Sequence, residues 1–205
     1  MAGLLSNFRN TLILSVVIAL LFVAGYGVHN PGGFDQRFLE AVFRWIHVFF
    51  GILWIGLLYY FNFVQIRKMP DIPAELKPAV SKYIAPEALF WFRWAALFTV
   101  LAGIAIALVR GTLLDILTFG FAGGFDPALD RPFMMLGVGV WLAIIMFLNV
   151  WVFIWPNQKI ALGIVDADAD AKAKAGKTAM LFSRTNLLLS IPMLTTMTMN
   201  QTLFG

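Results

Sequence analysis

Residues 44–62 form the stretch that most constrains how this chain can fold. They read RWIHVFFGILWIGLLYYFN, and a segment this long and apolar crosses a lipid bilayer as an α-helix. It also contains Arg44 and His47, and ionisable groups inside a bilayer normally face a partner, a cavity or a cofactor. Helical spacing puts the polar residues and several neighbours on one face: Glu40, Arg44, His47, Gly51, Trp54, Leu58, Asn62 and Gln65. This stripe predicts either a binding face or a helix-packing face with a hydrogen-bonded His47.

The composition supports the same class of fold. The chain is 60% hydrophobic and 13% charged, whereas soluble domains are about 25% charged. With a mean hydropathy of +0.83, the sequence predicts an all-α integral membrane protein forming a single domain over residues 1–205. The absence of cysteine excludes disulfides, thiolate metal sites, iron–sulfur clusters and covalently attached c-type haem.

Apolar runs separated by Pro-rich, Gly-rich or charged segments predict a bundle of five transmembrane helices. The predicted spans are residues 11–28, 38–65, 88–109, 133–155 and 179–204. The first run is longer than the apolar core of a signal peptide, and no clear cleavage site follows it, so we expect an uncleaved span.

Basic residues predict the orientation of these spans. Eight of the fifteen Lys and Arg residues lie in the second and fourth loops: Arg67, Lys68, Lys77, Lys82, Lys159, Lys172, Lys174 and Lys177. The positive-inside rule places these loops in the cytoplasm. The N-terminus is therefore predicted to be cytoplasmic and the C-terminus to lie outside. Because the basic residues lie in loops at the ends of the spans, the net positive charge does not indicate nucleic-acid binding.

Two sets of polar residues are candidates for chemistry. The first is His47 with Met193 and Met197 of the fifth span, which are expected near the depth of His47. An imidazole and a thioether can both ligate haem iron, so the residues permit a haem b site in which His47 is a metal ligand. The alternative is that the methionines only fill the core.

The second set lies at the predicted cytoplasmic ends of the spans. Two arginines and several amides can bind a planar anionic heterocycle through charge-assisted hydrogen bonds. The candidates are Asn62, Arg93, Asn157, Arg184 and Asn186, accompanied by Gln65, Asn149, Gln158 and Ser183. Alternatively, these arginines only reach toward lipid headgroups, and the tryptophans beside them only mark the membrane interface.

Several longer motifs resemble a known family. They are the run from His47 to Phe63, Phe90-Trp91-Phe92-Arg93-Trp94, Trp155-Pro156-Asn157-Gln158-Lys159, and Ser183-Arg184-Thr185-Asn186 followed by Ser190-Ile191-Pro192-Met193. Together they resemble the membrane domain of urate hydroxylase, also called the urate oxidase N-terminal domain. The resemblance covers four of the five predicted spans. The second span has a weaker similarity to the membrane-type protoporphyrinogen oxidase, a haem-binding four-helix protein.

The resemblance implies a redox module of a bacterial inner (cytoplasmic) membrane that converts urate to 5-hydroxyisourate. Larger members end in a periplasmic cytochrome c domain, whereas this sequence has no such domain, so electrons would pass to a separate cytochrome. The predicted outside C-terminus agrees with where that domain lies. Two alternatives remain open: a non-catalytic subunit of a larger respiratory or photosynthetic membrane complex, and a haem-b-binding membrane protein without urate chemistry. The sequence also leaves a homo-oligomer open.

Overall fold

The computed structural model of the protein describes residues 2–124, 126–127 and 129–204, and every described segment of regular structure is helical. The prediction of an all-α fold is thus confirmed over the described chain. The α-helices are α1 (Ala2–Leu5), α2 (Phe8–His29), α3 (Gln36–Tyr59), α4 (Ile66–Lys68), α5 (Lys77–Ala79), α6 (Ala85–Arg110), α7 (Leu113–Leu117), α8 (Arg131–Leu148), α9 (Trp155–Ala161) and α10 (Ala169–Phe204). Short 3-10 turns cover Met69–Asp71 and Phe121–Gly123.

Three π-helical segments interrupt the long helices. They are π1 (Tyr60–Gln65), π2 (Val80–Ile84) and π3 (Asn149–Ile154). Each joins two α-helical pieces, so that Gln36–Asp71, Lys77–Arg110 and Arg131–Ala161 each run as one long helix. Helical structure therefore extends well beyond the predicted spans, into the connection that we expected to be a loop between the second and third spans.

Among the described residues, four helices are long and apolar enough to cross a membrane: Phe8–His29, Gln36–Asp71, Lys77–Arg110 and Arg131–Ala161. They contain the first four predicted spans, so the protein is a multi-pass membrane protein. Helix α10 contains the fifth predicted span but is not among these four. Its Ser, Thr and Asn residues lower its hydropathy, and the fifth crossing remains a prediction.

The bundle is built from two helix pairs. Helix α3 packs along α6, and α8 packs along α10. Trp54 and Leu58 of α3, Phe92 of α6, and Met146 of α8 are buried between the pairs. Many large apolar side chains outside this core are exposed, as expected when lipid rather than water surrounds a bundle.

Helix α2 differs from the others because it contributes little to the core. Only 6% of its most apolar 18-residue window is buried, against 33% for the windows in Lys77–Arg110 and Arg131–Ala161. Asn7 caps its first turn, its side chain accepting a hydrogen bond from the Asn10 amide at 3.1 Å. The tight turn after it is fixed by Asn30, which donates to the Gly33 carbonyl at 2.6 Å.

Candidate functional site

A cavity of about 480 Å³ opens at the end of the bundle where the two basic loops lie, the end predicted to be cytoplasmic. We call it the inner cavity, and its volume lies within the range of small-molecule sites, roughly 300–1,000 Å³. Its lining residues come from π1 and the connection that follows it, from π3, and from the helices α6, α9 and α10: Phe61, Gln65, Ile66, Met69, Pro70, Lys77, Leu89, Phe92, Ile154, Gln158, Gly176, Ala179, Met180 and Ser183.

Two of the π-helical segments shape this cavity. Phe61 and Gln65 belong to π1, and Ile154 belongs to π3. A π turn adds a residue to the helix circumference and leaves backbone groups without their usual partners, and such turns occur frequently at functional sites. Their position next to the cavity is therefore an independent indication that this end of the bundle carries function.

The walls combine flat apolar surfaces with a few hydrogen-bonding groups. The rings of Phe61 and Phe92 meet edge to face with centroids 5.5 Å apart. The polar lining side chains are Gln65, Gln158 and Ser183, with Lys77 as a charged one. An arrangement of mostly apolar walls with few convergent polar groups is typical of a site for a small ring compound.

Two buried amide oxygens near the cavity lack partners within the described structure. Asn62 donates through Nδ2 to the Leu58 carbonyl at 2.9 Å and to Ser183 Oγ at 3.0 Å. Its Oδ1, and Oε1 of Gln65, are buried without a hydrogen-bond partner there. A buried, unpaired carbonyl oxygen costs about 1–3 kcal/mol, so this end of the bundle has acceptors that a bound ligand or water can satisfy.

The five predicted substrate residues do not form one cluster. Asn62 lies beside the cavity through its bond to Ser183, and the Arg93 guanidinium lies 3.8 Å from the centroid of the Trp155 ring. Asn157 donates to the Phe153 carbonyl at 2.8 Å within its own helix, and Arg184 is exposed. None of these four lines the inner cavity.

Asn186, the fifth predicted substrate residue, joins two helices. It is fully buried, its Oδ1 accepts from Asn149 Nδ2 at 2.8 Å, and its Nδ2 donates to the Met146 carbonyl at 2.9 Å. Its amide is therefore already bonded within the protein. The sequence-based grouping did not include Lys77, which lines the inner cavity.

The predicted interaction of His47 with a neighbouring helix is present. Its Nδ1–H donates to the Thr99 carbonyl of α6 at 2.8 Å. A Cβ atom on Gly103 would lie 3.1 Å from the His47 ring, so the imidazole packs directly on the backbone of α6. Near the opposite end from the cavity, Glu40 forms ion pairs with Arg44 and, at 2.8 Å, with Arg110. The first half of the polar stripe thus joins α3 to α6.

The hydrogen bond of His47 leaves its Nε2 available, as in metal-ligating histidines whose other nitrogen is fixed by a carbonyl. The Asn62–Ser183 and Tyr59–Ser190 hydrogen bonds set the register between α3 and α10. At a rise of 1.5 Å per residue, the two bonds together put Met197 roughly 2–8 Å and Met193 roughly 8–14 Å from the level of His47 along the bundle. Met197 is therefore the nearer of the two predicted partners.

The fold and its apolar surface define a multi-pass helical membrane protein with a cavity at one end. Residues 126–203 match the family model described as Urate oxidase N-terminal. The match confirms the resemblance over the C-terminal part of the chain, which includes Asn157, Arg184, Asn186, Met193 and Met197. No curated protein gives a significant match, and neither does any solved structure.

Proposed function

We propose that this protein is the membrane domain of a urate-hydroxylase-type oxidoreductase in a bacterial inner membrane, and that urate binds in the inner cavity. The observation that carries the proposal is the cavity itself: it lies between helices of which α9 and α10 belong to the matched family region. Its size and lining suit a planar ring that presents both hydrogen-bond donors and acceptors.

The chemistry balances with a separate electron acceptor. Urate and one water give 5-hydroxyisourate, two protons and two electrons, and two oxidised c-type cytochromes each accept one electron. The protein's own contribution is to bind and orient the ring. The faces of Phe61 and Phe92 exclude water from it, and Gln65, Gln158 and Ser183 hydrogen-bond its edge.

A haem is a further part of this proposal. His47, through its Nε2, and Met197 would hold the haem iron, because the Nδ1 of His47 is already bonded to the Thr99 carbonyl. When bound, such a group supplies one-electron transfer. A visible absorption spectrum of the purified protein tests this directly, because a Soret band present in the wild type and lost in His47→Ala is expected.

The test of the main proposal is urate turnover by purified protein with oxidised cytochrome c as acceptor. We expect urate absorbance to fall while reduced cytochrome appears, at two cytochromes for each urate. Gln158→Ala should raise the KM for urate roughly two- to tenfold, the equivalent of one neutral hydrogen bond. Asn157→Ala, the neighbouring amide outside the cavity, is the matched control and should stay within twofold. Purified protein that consumes no urate with this acceptor would contradict the proposal.

The exposure of α2 favours a second candidate, a non-catalytic subunit of a larger membrane complex. Ile13, Val17, Leu20 and Leu21 of this helix are all exposed, and a partner subunit or a second copy would cover such a surface as well as lipid does. Purification in mild detergent distinguishes the candidates. The second one requires a stable stoichiometric complex together with no urate turnover.

A further inference from the structure

We infer that Lys77 supplies the counter-charge of the inner cavity and makes the cavity select planar anions over neutral rings of the same shape. The inference rests on the proposed function and names a residue that sequence reasoning did not assign to the site. Among the described residues that line the cavity, Lys77 is the only one with an ionisable side chain.

The turn between the 3-10 segment and α5 positions Lys77 at the cavity. A turn at Pro73 reverses the chain after the 3-10 segment, and the Leu76 amide donates to the Pro73 carbonyl at 3.0 Å. Lys77 follows as the first residue of α5 and is half-buried. Lys77 therefore forms part of the cavity wall, together with Met69 and Pro70.

The ammonium group of Lys77 is not neutralised by the protein. Within the described chain, Lys77 Nζ forms no ion pair or side-chain hydrogen bond, whereas Lys68 of the same connection pairs with Asp71 at 3.1 Å. No Asp or Glu is among the residues that line the cavity. Lys82, the next basic residue along the chain, is exposed and does not line the cavity.

An uncompensated cation over an apolar cavity favours an anionic ligand. Electrostatic attraction is stronger in a site with low-dielectric walls than in water, and transferring an anion into such a site is costly without a partner. The amides of Gln65 and Gln158 can bond the polar edge of a ring but carry no charge. Lys77 thus makes the cavity bind a monoanion, such as urate at neutral pH, more tightly than a neutral purine.

The experiment measures binding to detergent-purified protein with three probes at pH 7. Urate and nicotinate are planar monoanions, and hypoxanthine is a neutral purine. Lys77→Gln should weaken urate binding at least about tenfold, the effect of losing a hydrogen bond to a charged group, and leave hypoxanthine unchanged. Lys77→Arg should keep most of the urate affinity. Lys82→Gln is the matched control and should bind all three probes as the wild type does.

The outcomes separate this inference from the proposed function. Urate binding that is equal in wild type and Lys77→Gln would overturn the inference and leave the proposed function intact. Lys77-dependent binding of nicotinate without binding of urate would support the inference and contradict the proposed function. If neither anion binds the wild type, both are wrong. Thermal melting and size-exclusion profiles that match those of the wild type show that each variant is folded.

Discussion

His47 stabilises the contact between α3 and α6 with one hydrogen bond to a backbone carbonyl. Hydrogen bonds between helices in membranes contribute about 0.6–2 kcal/mol, so His47→Ala should lower the free energy of unfolding by about that amount. His29→Ala is the natural control because, within the described structure, His29 bonds only to Gly25 of its own helix, at 2.8 Å. This substitution should change stability by less than about 0.5 kcal/mol. Denaturant unfolding in mixed micelles measures both. A His47→Ala variant with the same free energy of unfolding as the wild type would show that this hydrogen bond does not contribute to stability.

Asn186 is expected to be a more sensitive position than any polar residue on the surface of α10. Replacing it with Ala leaves Asn149 Nδ2 without its acceptor in a fully buried position. The expected cost is about 1–3 kcal/mol for the unpaired group. Among the described residues, the side chain of the neighbouring Thr185 bonds only to Leu181 of its own helix, and Thr185 is exposed. Thr185→Ala should therefore be nearly neutral in the same unfolding experiment. Equal effects would mean that the Asn149–Asn186 bond does not stabilise the helix pair.

Arg93 and Arg184 differ in a way that their sequence context did not indicate. The Arg93 guanidinium lies over the Trp155 ring and reaches the Leu89 carbonyl, whereas Arg184 is exposed. Arg93→Ala should therefore destabilise the protein by about 0.5–2 kcal/mol, the range of a cation–π contact, and Arg184→Ala should not. Melting temperatures of the two variants compare them directly. Greater destabilisation by Arg184→Ala would contradict this assignment.

At the scale of helices, the apolar runs predicted the positions of the spans well. Each predicted span lies inside one observed helix, because the length of an apolar run reports the thickness of the bilayer. The ends were less predictable, since helical structure continues beyond the apolar runs into Ile66–Lys68 and Lys77–Ala79. The π segments carry no hydropathy signal at all, because a single added residue per turn leaves the apolar composition unchanged.

Close approach between elements depends on small residues. A Cβ atom on Gly137 of α8 would lie 2.5 Å from the Ile116 carbonyl oxygen of α7 and 2.9 Å from the Phe119 ring. Gly137→Ala must therefore displace α7, and overpacking of this kind typically costs about 1–3 kcal/mol. A Cβ on Gly25 of α2 meets nothing within 4 Å, so Gly25→Ala should be neutral or slightly stabilising. The unfolding midpoints of the two variants test this prediction. Equal midpoints would show that α7 moves aside without loss of stability.

Across the whole molecule, the sequence predicted which residues share a polar face but not which neighbouring helix each of them contacts. The stripe on α3 joins α6 through Glu40 and His47, and it reaches α10 through Asn62. Periodicity places these residues on one face, yet it cannot say which neighbour each one meets. The inner cavity depends on backbone widening at π1 and π3 and on the turn that carries Lys77. These are tertiary features without a periodic signature.

The number of crossings is decided by α10. This helix runs antiparallel to Arg131–Ala161: Asn200 donates to the Pro132 carbonyl at 2.7 Å near one end, and near the other a Cβ on Gly176 would lie 3.7 Å from Ala161. We expect a helix that accompanies a spanning helix over this length to cross the same bilayer. Its low hydropathy comes partly from Ser183, Asn186 and Ser190, which are buried against the bundle, and partly from exposed residues such as Arg184 and Thr185.

We therefore expect five crossings, with the N-terminus and the eight basic loop residues in the cytoplasm. A reporter enzyme that is active only in the periplasm should work when fused after Phe204 and fail when fused after Lys172, which lies in the first turn of α10. A cytoplasmic reporter at the same two positions should give the reverse pattern and serves as the control for expression. If the periplasmic reporter is inactive at both positions, α10 does not cross. In that case its polar residues pack at the membrane surface, and the inner cavity opens toward the same side as both termini.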